Sequence, residues 1–237
     1  ALDSKDIGFL QEYLTTNPEY GRQAFPVYSF LPKNEPAEND IERILRAITP
    51  GKEHIEYWFR WNEASPWHVD GDEILFKQQM KTTDPDMVFA NKKQELAYNP
   101  EDPNSSRVAR TTNILYIFIQ NIIGGELQIC TSHPWDGKYI LDNKYEPPLG
   151  AKITTFRPFV NMAVQFPSNL YHQVKNFIPK FQGIPMKRLA LVWCYWDHHP
   201  QGYKEHKHWK TIFSGGTHLF VPSRGWGDIS PYKDYNI

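Results

Sequence analysis

His54-Ile55-Glu56-Tyr57-Trp58-Phe59-Arg60-Trp61 reads as a strand, and a short polar break carries it into Trp67-His68-Val69-Asp70-Gly71-Asp72. The first run is dense in aromatic and β-favouring side chains. In the second, His68 and Asp70 stand two positions apart, so on extended backbone both project to the same face. An imidazole and a carboxylate so placed can share one metal ion, with a third ligand drawn from elsewhere in the chain. Alone, H-x-D is a common triplet, and a surface turn with a satisfied histidine explains it as well. The decision rests on what surrounds it.

Outward from this segment, further strand-like runs cover residues 113–120, 152–156, 162–166 and 188–196, and Leu127 and Ile129 alternate with polar neighbours. Gly124-Gly125, Pro147-Pro148, Pro158, Pro167 and Gly183 separate them, and the double glycine reads as a hairpin turn. Upstream, the pattern is helical. Ser4 is placed to cap a helix carrying Ile7, Leu10 and Leu14, and Asn39 a second carrying Ile41, Ile44, Leu45 and Ile48, with Glu42 in capping-box position and Pro50-Gly51 at its end. Many short strands after a helical start predict a mainly β (α+β) domain, a sandwich or a jelly roll, with the helices bracing one face. Residues 17–36 form a stretch punctuated by Pro and Gly, 77–110 and 197–237 lack regular pattern, and 77–110 is the expected lid.

Bulk properties remove several classes. Net charge is −1 and no Lys/Arg run is long, so nucleic acid is not an expected partner. No apolar run is long enough for a membrane span, and the amino-terminal segment is polar with helical character, so a cytoplasmic protein is expected. Cys130 and Cys194, the two cysteines, sit inside apolar runs and read as buried reduced thiols. Aromatics reach 15% of the chain, which suits sheet packing and also an aromatic-walled pocket; Trp58, Trp61 and Trp67 are candidates for either role.

Two downstream elements give the H-x-D its context. In Phe166-Pro167-Ser168-Asn169-Leu170-Tyr171-His172-Gln173-Val174, a histidine follows a strand and a turn. Further on, Arg188 opens the apolar run Leu189-Ala190-Leu191-Val192-Trp193. An arginine starting a buried strand needs an anion, because an unpaired buried charge is costly. A protein carboxylate, a bound ligand or an escape of the head group to solvent would each meet that need. A second histidine group, His198, His199, His206 and His208, lies in a stretch without a strand-paired carboxylate and reads as a solvated loop.

In this order, His68-Val69-Asp70, then Ile114-Leu115-Tyr116-Ile117-Phe118 running into Gly124-Gly125-Glu126-Leu127, then His172-Gln173-Val174, then Arg188, the chain resembles the Fe(II)/2-oxoglutarate-dependent dioxygenases, particularly their prolyl-4-hydroxylase-like branch. The resemblance spans roughly residues 55–196. It implies a double-stranded β-helix of the jelly-roll, cupin-like kind in a single domain: helical support over 1–53, the core over 54–196 and a loop-rich extension over 197–237. It implies that His68, Asp70 and His172 ligate Fe(II), and that Arg188, helped by Tyr116, binds the distal carboxylate of 2-oxoglutarate. O2 would be the second cosubstrate and ascorbate an accessory reductant. The expected reaction oxidises an unactivated C–H bond and releases succinate and CO2. Asp70 favours hydroxylation, desaturation or ring closure, because halogenating relatives carry a small residue there. Glu126 is not assigned as a ligand.

Two features depart from that branch. The interval from His172 to Arg188 is longer than usual, the extra residues being 178–185, and Tyr116 sits about one position off relative to the double glycine. For the substrate, the expectation is a small molecule, an amino acid or natural-product intermediate. Arg107, Arg110 and Arg157 are candidates to face a carboxylate on it, with surface solvation the plainer role for each. The competing readings are a peptidyl prolyl hydroxylase and, in another class, a cupin-like protein that binds metal or ligand without catalysis.

Overall fold

Helix α2 (Asp40–Ile48) shows how the helical layer is attached. Asn39 caps it, its side-chain oxygen accepting from the Glu42 amide at 2.9 Å, while Glu42 reaches back to accept from the Glu38 amide at 2.7 Å. The buried Glu42 also accepts from the Tyr57 hydroxyl at 3.0 Å, which ties α2 to the sheet beneath it. In α1 (Ser4–Thr16) the cap is Asp3 and not Ser4: the Asp3 carboxylate accepts from the Asp6 amide at 2.8 Å. Ile7, Leu10 and Leu14 from α1 and Ile41 and Leu45 from α2 bury against one face of the sheet. Each contributes roughly 1.5–3 kcal/mol relative to exposure. The helices brace that face, as expected.

The computed structural model describes residues 2–16, 27–49, 54–71, 96–97, 108–135, 138–139, 146–200, 203, 207–214 and 217–223. Among these the strands, in chain order, are β1 (Val27–Leu31), β2 (His54–Trp61), β3 (Ser65–His68), β4 (Leu96–Ala97), β5 (Thr111–Gln120), β6 (Ile122–Gly124), β7 (Leu127–Pro134) and β8 (Lys138–Tyr139). They continue with β9 (Ile153–Phe156), β10 (Ala163–Pro167), β11 (Leu170–Val174), β12 (Phe177–Pro179), β13 (Lys187–Trp196), β14 (His208–Ser214) and β15 (Thr217–Ser223). A seven-stranded sheet runs β10-β5-β13-β2-β1-β14-β15, and a four-stranded sheet runs β3-β11-β7-β9. Two ribbons, β12-β6 and β4-β8, complete the set, and all the pairings are antiparallel. The chain passes between the two large sheets in the sequence β2, β3, β5, β7, β9, β10, β11, β13, with β2, β5, β10 and β13 in the larger. That winding is a double-stranded β-helix. Its interior is the apolar cluster of Trp58, Ile114, Tyr116, Leu127, Ile129, Val164, Phe166, Ala190, Val192 and Cys194.

Three expectations are corrected. The stretch 17–36 contains strand β1, and 197–237 contains two strands where no pattern is expected, β14 and β15, which extend the larger sheet beyond β1. Gly124-Gly125 is not a hairpin turn. Gly124 ends β6 opposite Phe177, and the pair, at φ +93° and +74°, redirects the chain from the β6-β12 ribbon into β7. A Cβ at Gly124 would stand 2.5 Å from the Asn176 carbonyl oxygen. Gly124→Ala should therefore lower stability by about 2 kcal/mol or more, since left-handed backbone and a backbone clash add; a melting temperature equal to wild type would show that the ribbon can shift. Finally, the extra residues before Arg188 are anchored: the Asn121 side chain donates to the Phe181 and Ile184 carbonyls at 3.0 and 2.6 Å and accepts from the Phe181 amide. Most of the expected lid, and Pro50-Gly51, lie outside the described residues.

Candidate metal centre

Strand β3 delivers His68 and then, just beyond its end, Asp70. Its partner β11 delivers His172 directly opposite, His68 pairing with His172 in register. Residues opposite one another in an antiparallel pair project to the same face, so the two imidazoles meet, ring centroids 4.2 Å apart. Asp70 comes between them. Its Oδ1 lies 3.8 Å from His68 Nε2 and its Oδ2 3.4 Å from His172 Nε2, and one donor atom from each residue falls within 4.8 Å of the others. They form a 2-His-1-carboxylate set.

The surroundings prepare the donors. His68 Nδ1 lies 2.7 Å from the Pro66 carbonyl and His172 Nδ1 3.0 Å from the Leu170 carbonyl. A carbonyl only accepts, so each Nδ1 carries a proton and each Nε2 is the nitrogen that faces the centre. Burial, followed by the His172 imidazole, pushes the His68 pKa down to about 4 against the opposing pull of Asp70. His68 is thus neutral, the form that ligates. Its side chain keeps 27% exposure against 5% for His172, so the centre opens on the β3 side. Two imidazoles and a carboxylate, with one side open, fit a non-haem Fe(II) ion.

Asp70 is held further. Its carbonyl accepts from the Ala109 amide at 3.1 Å, and its Oδ2 accepts from the Thr112 hydroxyl at 2.6 Å. Thr112 in turn lies 2.7 Å from the Ser168 hydroxyl. Sequence reasoning passed over both residues, although a signal existed: Thr112 has the parity of Ile114 and Tyr116 on the interior face of β5.

Along that face, Thr112 and Tyr116 are separated by roughly 13 Å of strand. At the far end lies Arg188, 1% exposed, its guanidinium carbon 5.3 Å from the Tyr116 ring centre and 5.6 Å from that of Phe177. Its Nη1 donates to the Glu63 carbonyl at 3.3 Å, while among the described residues its Nε and the Tyr116 hydroxyl make no hydrogen bond of normal geometry, although the two side chains interact with each other. Among the described residues no carboxylate lies within 4.0 Å of it. Burial lowers its pKa, opposed by Tyr116. Gly125 packs against this arginine, where a Cβ would stand 3.4 Å from Nε. A buried cation and a hydroxyl so placed fit a carboxylate-bearing ligand.

The one-position offset of Tyr116 has a structural cause. Ala190 pairs with Tyr116 but Leu189 pairs with Phe118, so Ile117 is an extra residue in β5. Ile117 and Phe118 both pack towards the helices, and alternation resumes with Ile119 on the interior side. A bulge therefore keeps Tyr116 facing inwards.

Of the three tryptophans, Trp58 lies in the interior cluster, Trp61 packs on the helix side against Phe118, and Trp67 is half-buried. The second histidine group does not converge: His198 pairs with Asp197, His199 packs on Phe30, and His208 bonds Ser29, while His206 lies outside the described residues. Among the described residues His68, Asp70 and His172 are the one group placed to hold a metal. Arg110 and Arg157 are exposed and Arg107 lies outside the described residues. No helix among the described residues is long and apolar enough to cross a membrane.

No protein-family model and no curated protein sequence matches the chain. Solved structures do. A prolyl-4-hydroxylase from Pseudomonas putida aligns over 81% of this chain and 80% of its own, at 13% identity and a TM-score of 0.34. The IDO protein from Bacillus thuringiensis aligns over 82% and 87%, at 10% identity and 0.38. An oxidoreductase of the 2OG-Fe(II) oxygenase family from Burkholderia pseudomallei aligns over 82% and 92%, at 14% identity and 0.28. Scores this low supply no residue correspondence, and the site stands on its own geometry.

Proposed function

We propose that the protein is an Fe(II)- and 2-oxoglutarate-dependent oxygenase that oxidises an unactivated C–H bond of a small molecule. The observation that carries this reading is the presence, in one interior between the two sheets, of a 2-His-1-carboxylate set and a buried arginine that has no carboxylate within 4.0 Å among the described residues. His68, Asp70 and His172 would hold the iron; Arg188 and the Tyr116 hydroxyl would bind the distal carboxylate of the cosubstrate. When bound, iron with O2 and 2-oxoglutarate supplies the oxidising power, and succinate and CO2 are released. The residues supply position: the histidines present fixed lone pairs, Asp70 a held carboxylate, and Arg188 a planar fork in a site largely closed to water.

An amino acid or related carboxylate is the favoured substrate class. Arg60 supports it: it shares the interior parity of Trp58, pairs opposite Ala190, and is bridged to Glu63 at 2.8 Å. Its charge adds the smallest of several pushes, behind burial in both cases, to the lowered pKa values of His68 and Arg188. The buried free thiols of Cys130 and Cys194 support a reducing, cytoplasmic setting. Ascorbate would serve as accessory reductant.

Anaerobic addition of Fe(II) and then 2-oxoglutarate should produce the weak visible charge-transfer band of the chelate. Under air, screening of amino acids and of proline-containing peptides should release succinate with the former. Iron uptake without a band would move the assignment to a metal-binding protein of the cupin type, and turnover confined to peptides to a prolyl hydroxylase.

A further inference from the structure

We infer that Thr112, backed by Ser168, is a positioning residue that holds the Asp70 carboxylate ready for the metal; this rests on the metal reading above. Thr112 Oγ1 is 2.6 Å from Asp70 Oδ2 and 2.7 Å from Ser168 Oγ, and Thr112 and Ser168 are both fully buried. A hydroxyl has one proton to give, and an ionised carboxylate only accepts. The Thr112 proton therefore goes to Asp70. Facing Ser168, Thr112 can only accept, so the chain runs Ser168 to Thr112 to Asp70. The Cys194 thiol lies 3.6 Å from Thr112 and also interacts with Asp70, and its pKa is raised chiefly by burial.

The three residues come from different parts of the fold. Asp70 follows β3 of the smaller sheet, Thr112 lies on β5 of the larger, and Ser168 sits in the turn between β10 and β11, just ahead of His172. The link thus ties the carboxylate ligand to the opposite sheet and to the turn that leads into a histidine ligand. The terminal torsion of an aspartate is soft. With Oδ2 engaged by Thr112, the carboxylate loses that freedom, and its oxygens are held 3.8 Å from His68 Nε2 and 3.4 Å from His172 Nε2. Removing such an outer partner typically weakens metal binding by about 10–100-fold.

The test is anaerobic titration of the metal-free full-length chain with Fe(II), repeated with Co(II), whose visible absorption reports the ligand set. Thr112→Val, nearly isosteric, should raise the metal dissociation constant by about 10–100-fold and alter the Co(II) spectrum. Thr112→Ser should restore binding close to wild type, because the hydroxyl returns. Ser168→Ala should fall between, since Thr112 keeps its proton for Asp70. If Thr112→Val does not fold, Thr112→Ser against Ser168→Ala still decides: tight binding in the first and weaker in the second is expected. Wild-type affinity in Thr112→Val, or a loss in Thr112→Ser as large as in Thr112→Val, would overturn the positioning role alone. A wild-type chain that takes up neither metal would overturn both this role and the metal reading.

Discussion

His172→Ala should yield a folded protein that does not retain Fe(II), with turnover down by more than about 100-fold. The lower bound follows from the outer partners, whose loss alone costs about 10–100-fold in affinity or activity; a ligand must cost more. The fold should survive because His172 does not supply the strand's ladder. Strand β11 is paired on both sides, to β3 and to β7, through backbone groups that alanine keeps. What is lost is an imidazole packed on His68 and edge-on to Phe166 at 4.8 Å. A stability cost of about 1–3 kcal/mol is expected for a buried truncation of this size. Three readouts separate the effects: circular dichroism for the fold, metal analysis after desalting, and the melting shift on adding Fe(II). Wild type should melt higher with metal, as any ligand of the native state requires, and the variant should not. Iron retained at wild-type stoichiometry would remove His172 from the ligand set.

The ligands were legible in the sequence because their chemistry is local. H-x-D puts two donors on one face whatever the rest of the fold does, and a histidine after a strand and a turn is visible without knowing the partner strand. The two-sheet core followed from runs such as His54–Trp61, which is β2 to the residue. What was missed depends on distant partners. The Ile117 bulge exists only relative to β13, and β1 takes its place only once β2 and β14 flank it. The β14-β15 pair did leave a signal, Gly215-Gly216 between two runs rich in β-favouring residues, which scattered His, Trp and Pro obscured. The double glycine was misassigned because hairpin turns and close backbone approach demand the same residue. Thr112 carries no motif at all. Its role appears only when β3, β5 and the β10-β11 turn are brought together.

Arg188→Met should separate the protein's stability from its cosubstrate binding, moving them in opposite directions. In the ligand-free chain Arg188 is a nearly fully buried cation with backbone and aromatic neighbours but, among the described residues, no carboxylate within 4.0 Å. Its desolvation is therefore poorly offset, and the lowered pKa has that cause first. Methionine fills similar space without charge and packs well against Tyr116 and Phe177. The apo-protein should melt at the wild-type temperature or above it, as replacements of buried charge by apolar groups often do. Binding of 2-oxoglutarate should suffer instead. Truncating one partner of a buried, hydrogen-bonded charge pair costs about 2–5 kcal/mol, roughly 30- to 4,000-fold in dissociation constant. Iron affinity should be unchanged, because Arg188 packs on Tyr116, roughly 13 Å of strand from the Thr112 that holds Asp70. Tyr116→Phe supplies the finer scale: among the described residues its hydroxyl makes no hydrogen bond of normal geometry, so apo stability should change little while cosubstrate binding weakens by about 0.5–1.5 kcal/mol. Calorimetry with 2-oxoglutarate on the Fe(II)-loaded variants measures both effects. An unchanged affinity in Arg188→Met would place the carboxylate elsewhere, and a large fall in its apo melting temperature would mean that the cation already has a stabilising partner in the ligand-free fold.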